Sequence, residues 1–333
     1  MIVVNYHDDL KEVQGDPALA LLNTCAPFDR IEWWRNLADN CGILPLFAIA
    51  SDGRERAVLP LQRRGLQLIA LGNWYNFTVR PLFTPGADKA ALLTALARDL
   101  AGQAPMLLFA PLPDDQGEAT LTAQSFKAAG WTVFREKCDN NHVLAVEGRS
   151  YAEYLAARPG QLRTTLKRKA GKVRTVLTSQ FDPDLWDHYA AVYAASWKPS
   201  EGSLPFLRRF AEEEGAAGRL RMALAYVDAD PVAAQFWTVE LGTAYIHKLA
   251  HTEAAKPLSP GTTLSAALFE QVIDHDHVDL IDFGTGNDGY KRDWMEAVRP
   301  RYRLDCYRPA VPMNWPALAR RGLRALVGRG SHG

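Results

Sequence analysis

The sequence has few cysteines, no excess of either charge and no long apolar run. Its four cysteines are scattered through 333 residues, and none belongs to a C-x-x-C pair. This spacing argues against a zinc ribbon or a disulfide framework and favours a reducing compartment. The 38 basic residues balance 38 acidic ones, so no global field is available to hold nucleic acid. No run approaches the ~20 apolar residues of a membrane-spanning helix.

The N-terminus also lacks a targeting signal. MIVVNYHDDLKEV has no basic region ahead of an apolar core, so we expect no secretory peptide. We therefore expect a cytoplasmic protein, with the inner face of a membrane as an alternative location. The length allows two domains, because one domain takes roughly 100–200 residues.

The same order of elements occurs in both halves of the chain. In each half, three strand-like runs precede a turn with Pro-Leu and Pro-Gly, and a long helix follows the turn. The turn is RPLFTPG at 80–86 in the first half and KPLSPG at 256–261 in the second. A duplication is the economical explanation, and residues 148–150 are the predicted seam.

The stretch VDLIDFGTGNDGYKRDW, residues 278–294, spells G-x-G-x-x-G after an apolar strand. A dinucleotide fold or a methyltransferase needs several further βα units, but only 44 residues follow Gly289. A kinase interpretation of D-F-G lacks the H-R-D loop and the V-A-I-K strand. The better candidate for a phosphate cradle is the turn at 258–263, because the amides of the helix that it opens could face an anion. An ordinary helix cap is the alternative.

Three strands, the SPGTTL turn and IDFGTGNDGYKRDW together resemble the GNAT superfamily of acyltransferases. Within it, they are similar to the double-GNAT branch of FemAB-like and BioF2-like (CelD/BcsL) enzymes, most strongly over 150–308. The resemblance implies an α/β (α+β) fold of tandem GNAT-like domains, each a mixed, largely antiparallel sheet flanked by helices. The predicted parts are an N-terminal degenerate GNAT-like domain (1–149), a C-terminal GNAT catalytic domain (150–310) and a basic amphipathic tail (311–333).

The resemblance implies direct transfer of an acyl group from acyl-CoA, or from an acyl-carrier-protein thioester, to an amine. Such transfer needs a base for the amine, donors for the oxyanion and an acid for the leaving thiol. In TAYIHKLAH, strand alternation predicts one face with Tyr245, His247, Leu249 and His251. Imidazole is the side chain that most often serves as a general base, so either histidine could take the amine proton. No metal is expected, because the DHDH run at 274–277 ends a helix, where adjacent side chains diverge.

The remaining candidates lie on the preceding strand, in the turn and in the glycine-rich segment. Lys291 follows Tyr290 where a cation could hold a phosphate, a carboxylate or the oxyanion. Asp282 could orient that lysine or accept an amine. The expected substrate contacts are Gln235, Trp237 and Tyr245, and the expected donor contacts are Ser259, Gly261, Thr262 and Thr263. A purely structural role stays open for each of these residues.

Two segments are basic. RPGQLRTTLKRKAGKVR, residues 158–174, has seven basic residues and no acid. It is either a solvated helical face or a contact for an anionic donor or lipid headgroup. Nucleic acid is not expected, because aromatic residues do not interleave the charges. The tail over 314–329 would place Trp315, Leu318, Ala319, Gly322, Leu323 and Leu326 opposite Arg320, Arg321 and Arg324. This pattern predicts peripheral membrane contact, with docking on the protein itself as the alternative.

These features predict an N-acyltransferase acting on a small-molecule or lipid amine. The acceptor would be a long-chain, sphingoid-like amine, as for bacterial ceramide synthases of the same branch, or an amino sugar of the cell envelope. One alternative is a FemAB-like transferase that uses aminoacyl-tRNA. The other is a non-catalytic GNAT scaffold in lipid or polysaccharide assembly.

Overall fold

The computed structural model describes residues 1–16, 19–22 and 24–329, without the side chains of residues 21 and 323–329. The chain forms two compact units. Unit 1 comprises Met1–Asp139 and the chain from Pro300 onward, and unit 2 is Asn140–Arg299. This division differs from the predicted one at 149 and 310, because residues 140–149 belong with the second unit and the strand after residue 300 with the first.

Both units are built from helices and strands. The elements in the first part of the chain are β1 (Val3–His7), α1 (Leu10–Gly15), α2 (Ile31–Cys41), β2 (Pro45–Ser51), β3 (Arg56–Arg64), β4 (Gln67–Ala70), β5 (Leu82–Phe83), α3 (Lys89–Leu100), β6 (Met106–Leu112), α4 (Glu118–Ala128) and β7 (Thr132–Ala145). Those that follow are α5 (Tyr151–Ala156), α6 (Gly160–Lys169), β8 (Arg174–Thr178), α7 (Pro183–Ala194), α8 (Leu204–Ala216), β9 (Leu220–Val227), β10 (Asp230–Glu240), β11 (Thr243–His251), α9 (Pro260–Glu270), β12 (Leu280–Thr285), α10 (Lys291–Trp294), β13 (Ala297–Tyr307) and α11 (Trp315–Arg329).

Unit 1 contains a mixed, largely antiparallel sheet. Strands β1 to β4 pair antiparallel in chain order, β4 pairs parallel with β6, and β6 pairs antiparallel with β13. Helix α3 buries Leu92, Leu93, Leu96 and Leu100 at helical spacing against this sheet. Its N-terminus is capped by Asp88, whose Oδ1 accepts from the Ala91 amide at 3.0 Å.

The parallel strands of unit 1 separate after two residue pairs, and the chain fills the gap between them. The pairing of β4 with β6 covers Leu68–Leu107 and Ile69–Leu108. Beyond it, the Val79 amide donates to Pro111 O at 2.8 Å, and residues 75–79 are buried. The space that remains is a cavity of about 170 Å³. The opening in the first unit is therefore occupied by its own residues.

Unit 2 repeats this arrangement without the filling segment. Strands β8 to β11 pair antiparallel, β11 pairs parallel with β12, and β12 pairs antiparallel with the last part of β7. On one face, Phe236 packs against Trp186 of α7 and Phe210 of α8. On the other, Trp237 packs edge-on against Phe269 of α9. Mixed sheets flanked by helices confirm the predicted fold class.

The start of the C-terminal tail is held by unit 1. Asn314 Nδ2 donates to Pro105 O and Arg308 O, at 2.8 and 2.9 Å. Arg321 binds Asp305 and Glu136, whereas Trp315 is exposed. The predicted positions Leu323, Arg324 and Leu326 lie outside the described side chains, so membrane contact stays a prediction. Within the described residues, no helix is long and apolar enough to cross a bilayer.

Candidate active site

The site begins where β11 and β12 separate. Their parallel pairing covers Thr243–Leu280, Ala244–Ile281 and Tyr245–Asp282. Beyond these pairs β11 continues to His251 along β10, while β12 bends at Gly284, which has φ +66°. Two parallel strands that part in mid-sheet leave a gap through which a narrow ligand can reach both faces.

A β-bulge at the same place changes the direction of the side chains of β11. Trp237 pairs with Ile246, but Phe236 pairs with Lys248, which leaves His247 as the extra residue. The expectation that Tyr245, His247, Leu249 and His251 share one face is therefore wrong. His247 turns toward α8, with Nε2 2.8 Å from Thr238 Oγ1 and its ring edge-on to Phe210. Beyond the bulge, Leu249 and His251 lie on the α9 side.

Helix α9 begins beside the gap with an unusual cap. Ser259 has φ +53°, a left-handed conformation that is costly for a residue with a Cβ, and Pro260 follows as the first helical residue. Ser259 Oγ accepts from Lys169 Nζ at 3.1 Å. The amides of Gly261 and Thr262 come too early in the helix for intrahelical acceptors. A lysine next to these amides gives this helix start a positive potential. In unit 1, by contrast, the carboxylate of Asp88 caps the start of α3.

Gln235 ties this helix start to the sheet. Its Nε2 donates to Gly261 O at 2.9 Å and to Ser265 Oγ at 2.8 Å, and its Oε1 accepts from Trp237 Nε1 at 2.9 Å. Gln235 and Trp237 are fully buried. The structure therefore places these two predicted substrate contacts, like the buried Tyr245, in the framework that positions the site.

An open cleft of about 290 Å³ lies between the start of α9, the end of β11 and the segment after β12. Three predicted donor residues, Ser259, Gly261 and Thr262, line it together with His251 and Tyr290, whereas Thr263 is buried in α9. Sequence reasoning missed two of its walls, Leu162 and Trp197, because they come from elements distant in the chain. The other lining residues adjoin predicted site residues: Leu249, Lys256, Ser265, Asp293 and Trp294.

His251 and Tyr290 are the titratable groups in the cleft best suited to proton transfer. The ring of His251 lies against Trp197, with centroids 4.3 Å apart, and its Nδ1 is 3.1 Å from Thr252 O. An imidazole that donates through Nδ1 keeps the Nε2 lone pair as a proton acceptor. Tyr290 is 40% exposed, but the protein around its phenol partly desolvates it, which together with the charge of Asp288 raises its pKa to about 12. That phenol stays protonated at neutral pH and can act as an acid.

Lys291 and Asp282 shape the segment after β12. Lys291 is buried, and its Nζ donates to Phe283 O and Thr285 O. Asp282 Oδ1 accepts from Asn141 Nδ2 at 2.6 Å and from the Gly284 amide at 2.7 Å. Both side chains thus hold the backbone bend that separates β12 from β11 and places Tyr290 in the cleft.

A charged cluster lies on the other side of β11. Lys248 Nζ pairs with Glu201 at 2.9 Å and lies over the ring of Tyr193. Burial, with the nearby charge of Lys248, lowers the pKa of Lys198 to about 8. Nothing in the sequence marked this cluster, because Lys198 and Glu201 come from the irregular segment between α7 and α8. Across the described ranges, no group of three or more His, Cys, Asp or Glu is placed to hold a metal ion.

One protein family and several solved structures are similar to this chain. Residues 156–292 match the family described as an acetyltransferase (GNAT) domain. The second unit thus contains a GNAT domain, which confirms the coarser part of the predicted recognition. No curated protein sequence matches the chain.

Solved structures resemble both halves of the chain. FemX has a TM-score of 0.61 at 11% identity, over 90% of this chain and 96% of FemX. L-PGS from Bacillus licheniformis has a TM-score of 0.54 at 15% identity, over 90% and 96%. A tandem GNAT protein from the clavulanic acid biosynthesis pathway has a TM-score of 0.53 at 12% identity, over 91% and 98%. At these identities the similarity is one of fold, and that fold is the tandem GNAT arrangement.

Proposed function

We propose that this chain is an N-acyltransferase that moves an acyl group from a phosphopantetheine thioester, on CoA or a carrier protein, to a primary amine. One observation carries the proposal. The gap between β11 and β12 opens beside the basic start of α9 in unit 2, whereas the corresponding gap in unit 1 is filled and its helix start is capped by Asp88. A donor site is therefore expected in unit 2 only.

The donor is held at its phosphate end and along its arm. The amides of Gly261 and Thr262, with Lys169 beside them, would bind phosphate oxygens. The arm would then pass along Leu249 and Trp294 and bring the thioester carbonyl to the point where the strands separate. The acceptor amine would approach from the face of α7 and α8, where Lys198, Lys248 and Glu201 form a polar wall.

The chemical step needs two proton transfers. The amine nitrogen attacks the thioester carbonyl carbon, which forms the C–N bond, and the proton that the nitrogen loses passes through water in the cleft to His251. Collapse of the tetrahedral intermediate breaks the C–S bond, and the leaving thiolate takes the phenolic proton of Tyr290. Solvent then restores both residues. The products are an amide and a free thiol, and no covalent enzyme intermediate forms.

The proposed acceptor is a long-chain amine, with an envelope amino sugar as the second candidate.

Aminoacyl transfer from charged tRNA is the rival function. Two observations support this rival function: the structural similarity to FemX and the basic segment at 158–174. A requirement for charged tRNA, with no transfer from any thioester, would establish the rival.

The proposal is tested by incubating the protein with acyl-CoAs of graded chain length and a panel of amines, with products identified by mass spectrometry. Gly261→Val should abolish transfer. A Cβ at Gly261 would lie 3.6 Å from His251 Cδ2, so an alanine fits, but the two further methyl groups of valine would obstruct the donor.

Gly171→Val is the matched control, because a Cβ there meets nothing within 4 Å. It should keep full activity. If Gly261→Val folds and transfers acyl groups at the wild-type rate, the donor does not bind at the start of α9, and the proposed mechanism is wrong.

A further inference from the structure

Helix α6 forms one wall of the donor cleft and exposes a row of positive charge. Leu162 lines the cleft, and Lys169 reaches Ser259 at its mouth. The outer side of α6 and the residues after it form what we call the α6 surface: Arg163, Lys167, Arg168, Lys172 and Arg174, all exposed.

The charges of the α6 surface are not neutralised within the protein. Arg163 Nε donates to Arg158 O, and Arg174 lies over the ring of Tyr226. Among the described residues, no carboxylate forms an ion pair with Lys167, Arg168 or Lys172, and residues 158–174 include no acid. Five clustered like charges repel one another, so an anionic partner bound over them would relieve that repulsion.

We propose that the α6 surface docks an acidic acyl-carrier protein whose phosphopantetheine arm enters the cleft. This inference rests on the proposed function, because it names the carrier of the thioester. The cleft is at the small end of ligand pockets, which suits a narrow arm. A carrier protein keeps the rest of the donor outside, where the exposed lysines and arginines meet its acidic residues.

The composition of the α6 surface favours this occupant over a lipid bilayer. An interfacial helix inserts an apolar face, but Leu162 and Leu166 of α6 are buried in the core of unit 2. A single-stranded nucleic acid would need exposed aromatic rings between the charges, and residues 158–174 include none. A folded acidic protein needs only complementary charge.

The test compares one acyl chain on two donors, an acyl-carrier protein and CoA. In Lys167→Glu/Arg168→Glu, KM for the carrier-bound donor should rise about 10-fold or more at low salt, because both long-range attraction and contact are reversed. The kcat, and both constants for acyl-CoA, should change by less than about 2-fold. The wild-type preference should shrink between about 20 and 300 mM salt. Lys127→Glu/Lys137→Glu, at exposed positions of unit 1, makes the same charge change and should have no effect.

Direct binding separates this inference from the proposed function. Fluorescence anisotropy with a labelled holo-carrier protein should show binding to the wild type and to the control, and loss of binding in the α6 variant. Binding of the carrier protein without transfer to any amine would support the docking surface and overturn the proposed function. Transfer from acyl-CoA without binding of the carrier protein would support the proposed function and overturn the docking surface. Equal losses with both donors, or binding of tRNA but not of the carrier by the α6 surface, would also overturn the docking.

Discussion

Replacing Gln235 by leucine should destabilise unit 2 and weaken donor binding through the helix start. The side chain has no exposed surface, so a leucine of similar size loses only its three hydrogen bonds. At about 1 kcal/mol for each neutral bond, the loss is about 3 kcal/mol. The Ser265 hydroxyl and the Trp237 N–H each lose the partner that Gln235 supplies, and an unpaired buried N–H alone costs about 1–3 kcal/mol.

The measurement is urea unfolding followed by circular dichroism. The variants are compared by the urea concentration at the midpoint of unfolding, provided that the dependence of the unfolding free energy on urea is unchanged. Gln124→Leu, at an exposed position of α4, is the matched control and should stay within about 0.5 kcal/mol of the wild type. Trp237→Phe tests the pairing. The double variant should be more stable than the sum of the two single losses by about 1–2 kcal/mol, because it removes the donor and the acceptor together.

Two results would refute this reasoning. If Gln235→Leu shifts the free energy of unfolding by less than about 0.5 kcal/mol, the three bonds do not hold the helix start. If stability is intact while kcat/KM falls sharply, Gln235 contacts a substrate, as the sequence alone predicted.

Four further predictions follow from the site. His251→Gln should lower kcat about 100-fold, whereas His247→Gln, on the opposite face of β11, should change kcat by only a few-fold; equal effects in steady-state assays would contradict the bulge. Tyr290→Phe should lower kcat at least about 10-fold with KM unchanged, and an unchanged kcat would remove it as the acid. Lys291→Met should lose about 1.5–3 kcal/mol of stability, because two buried carbonyls lose a charged donor, and activity should fall with it; a variant as stable as the wild type would argue for a direct role. The lowered pKa of Lys198, about 8 against an ordinary 10.5, means that the unfolded chain keeps that proton to higher pH. The stability of the wild type should therefore rise between about pH 8 and 10.5. Lys198→Met should unfold at a higher temperature than the wild type near pH 7, and its stability should not rise over that range. A variant less stable than the wild type would be evidence against an energetic cost of burying the charged lysine.

Much of the fold could be predicted from the sequence because its signals are local. Strand-like and helical runs around the two Pro-Gly turns indicated the same order of elements in both halves, the resemblance to tandem GNAT proteins implied mixed sheets, and the structure has both. The turn at 256–261 was the right place to look for a helix start beside a cleft, because Pro and Gly act through their own backbone geometry. The fingerprint G-x-G-x-x-G could be set aside on chain length alone.

The arrangement of the candidate site depended on long-range contacts. A bulge is one residue of misregister between strands, so no alternation within TAYIHKLAH could show that His247 and His251 diverge. Gln235 looked available to a substrate, but α9 folds back to accept from its Nε2, and Trp237 of the same strand donates to its Oε1. No sequence motif marked Lys198, Trp197 or Leu162, because their place in the site depends on the elements that pack around them.

The sequence by itself determined the class of fold, the repeat and the position of the α9 turn, since each follows from residues adjacent in the chain. Only the tertiary structure decided which of two similar openings stays open. In unit 1 the gap is filled through a contact between residues distant in the chain, since the Val79 amide donates to Pro111 O at the end of β6. In unit 2 a lysine from α6 meets the start of α9, 90 residues further along the chain. Proximity of this kind is created by packing, and only the folded chain contains it.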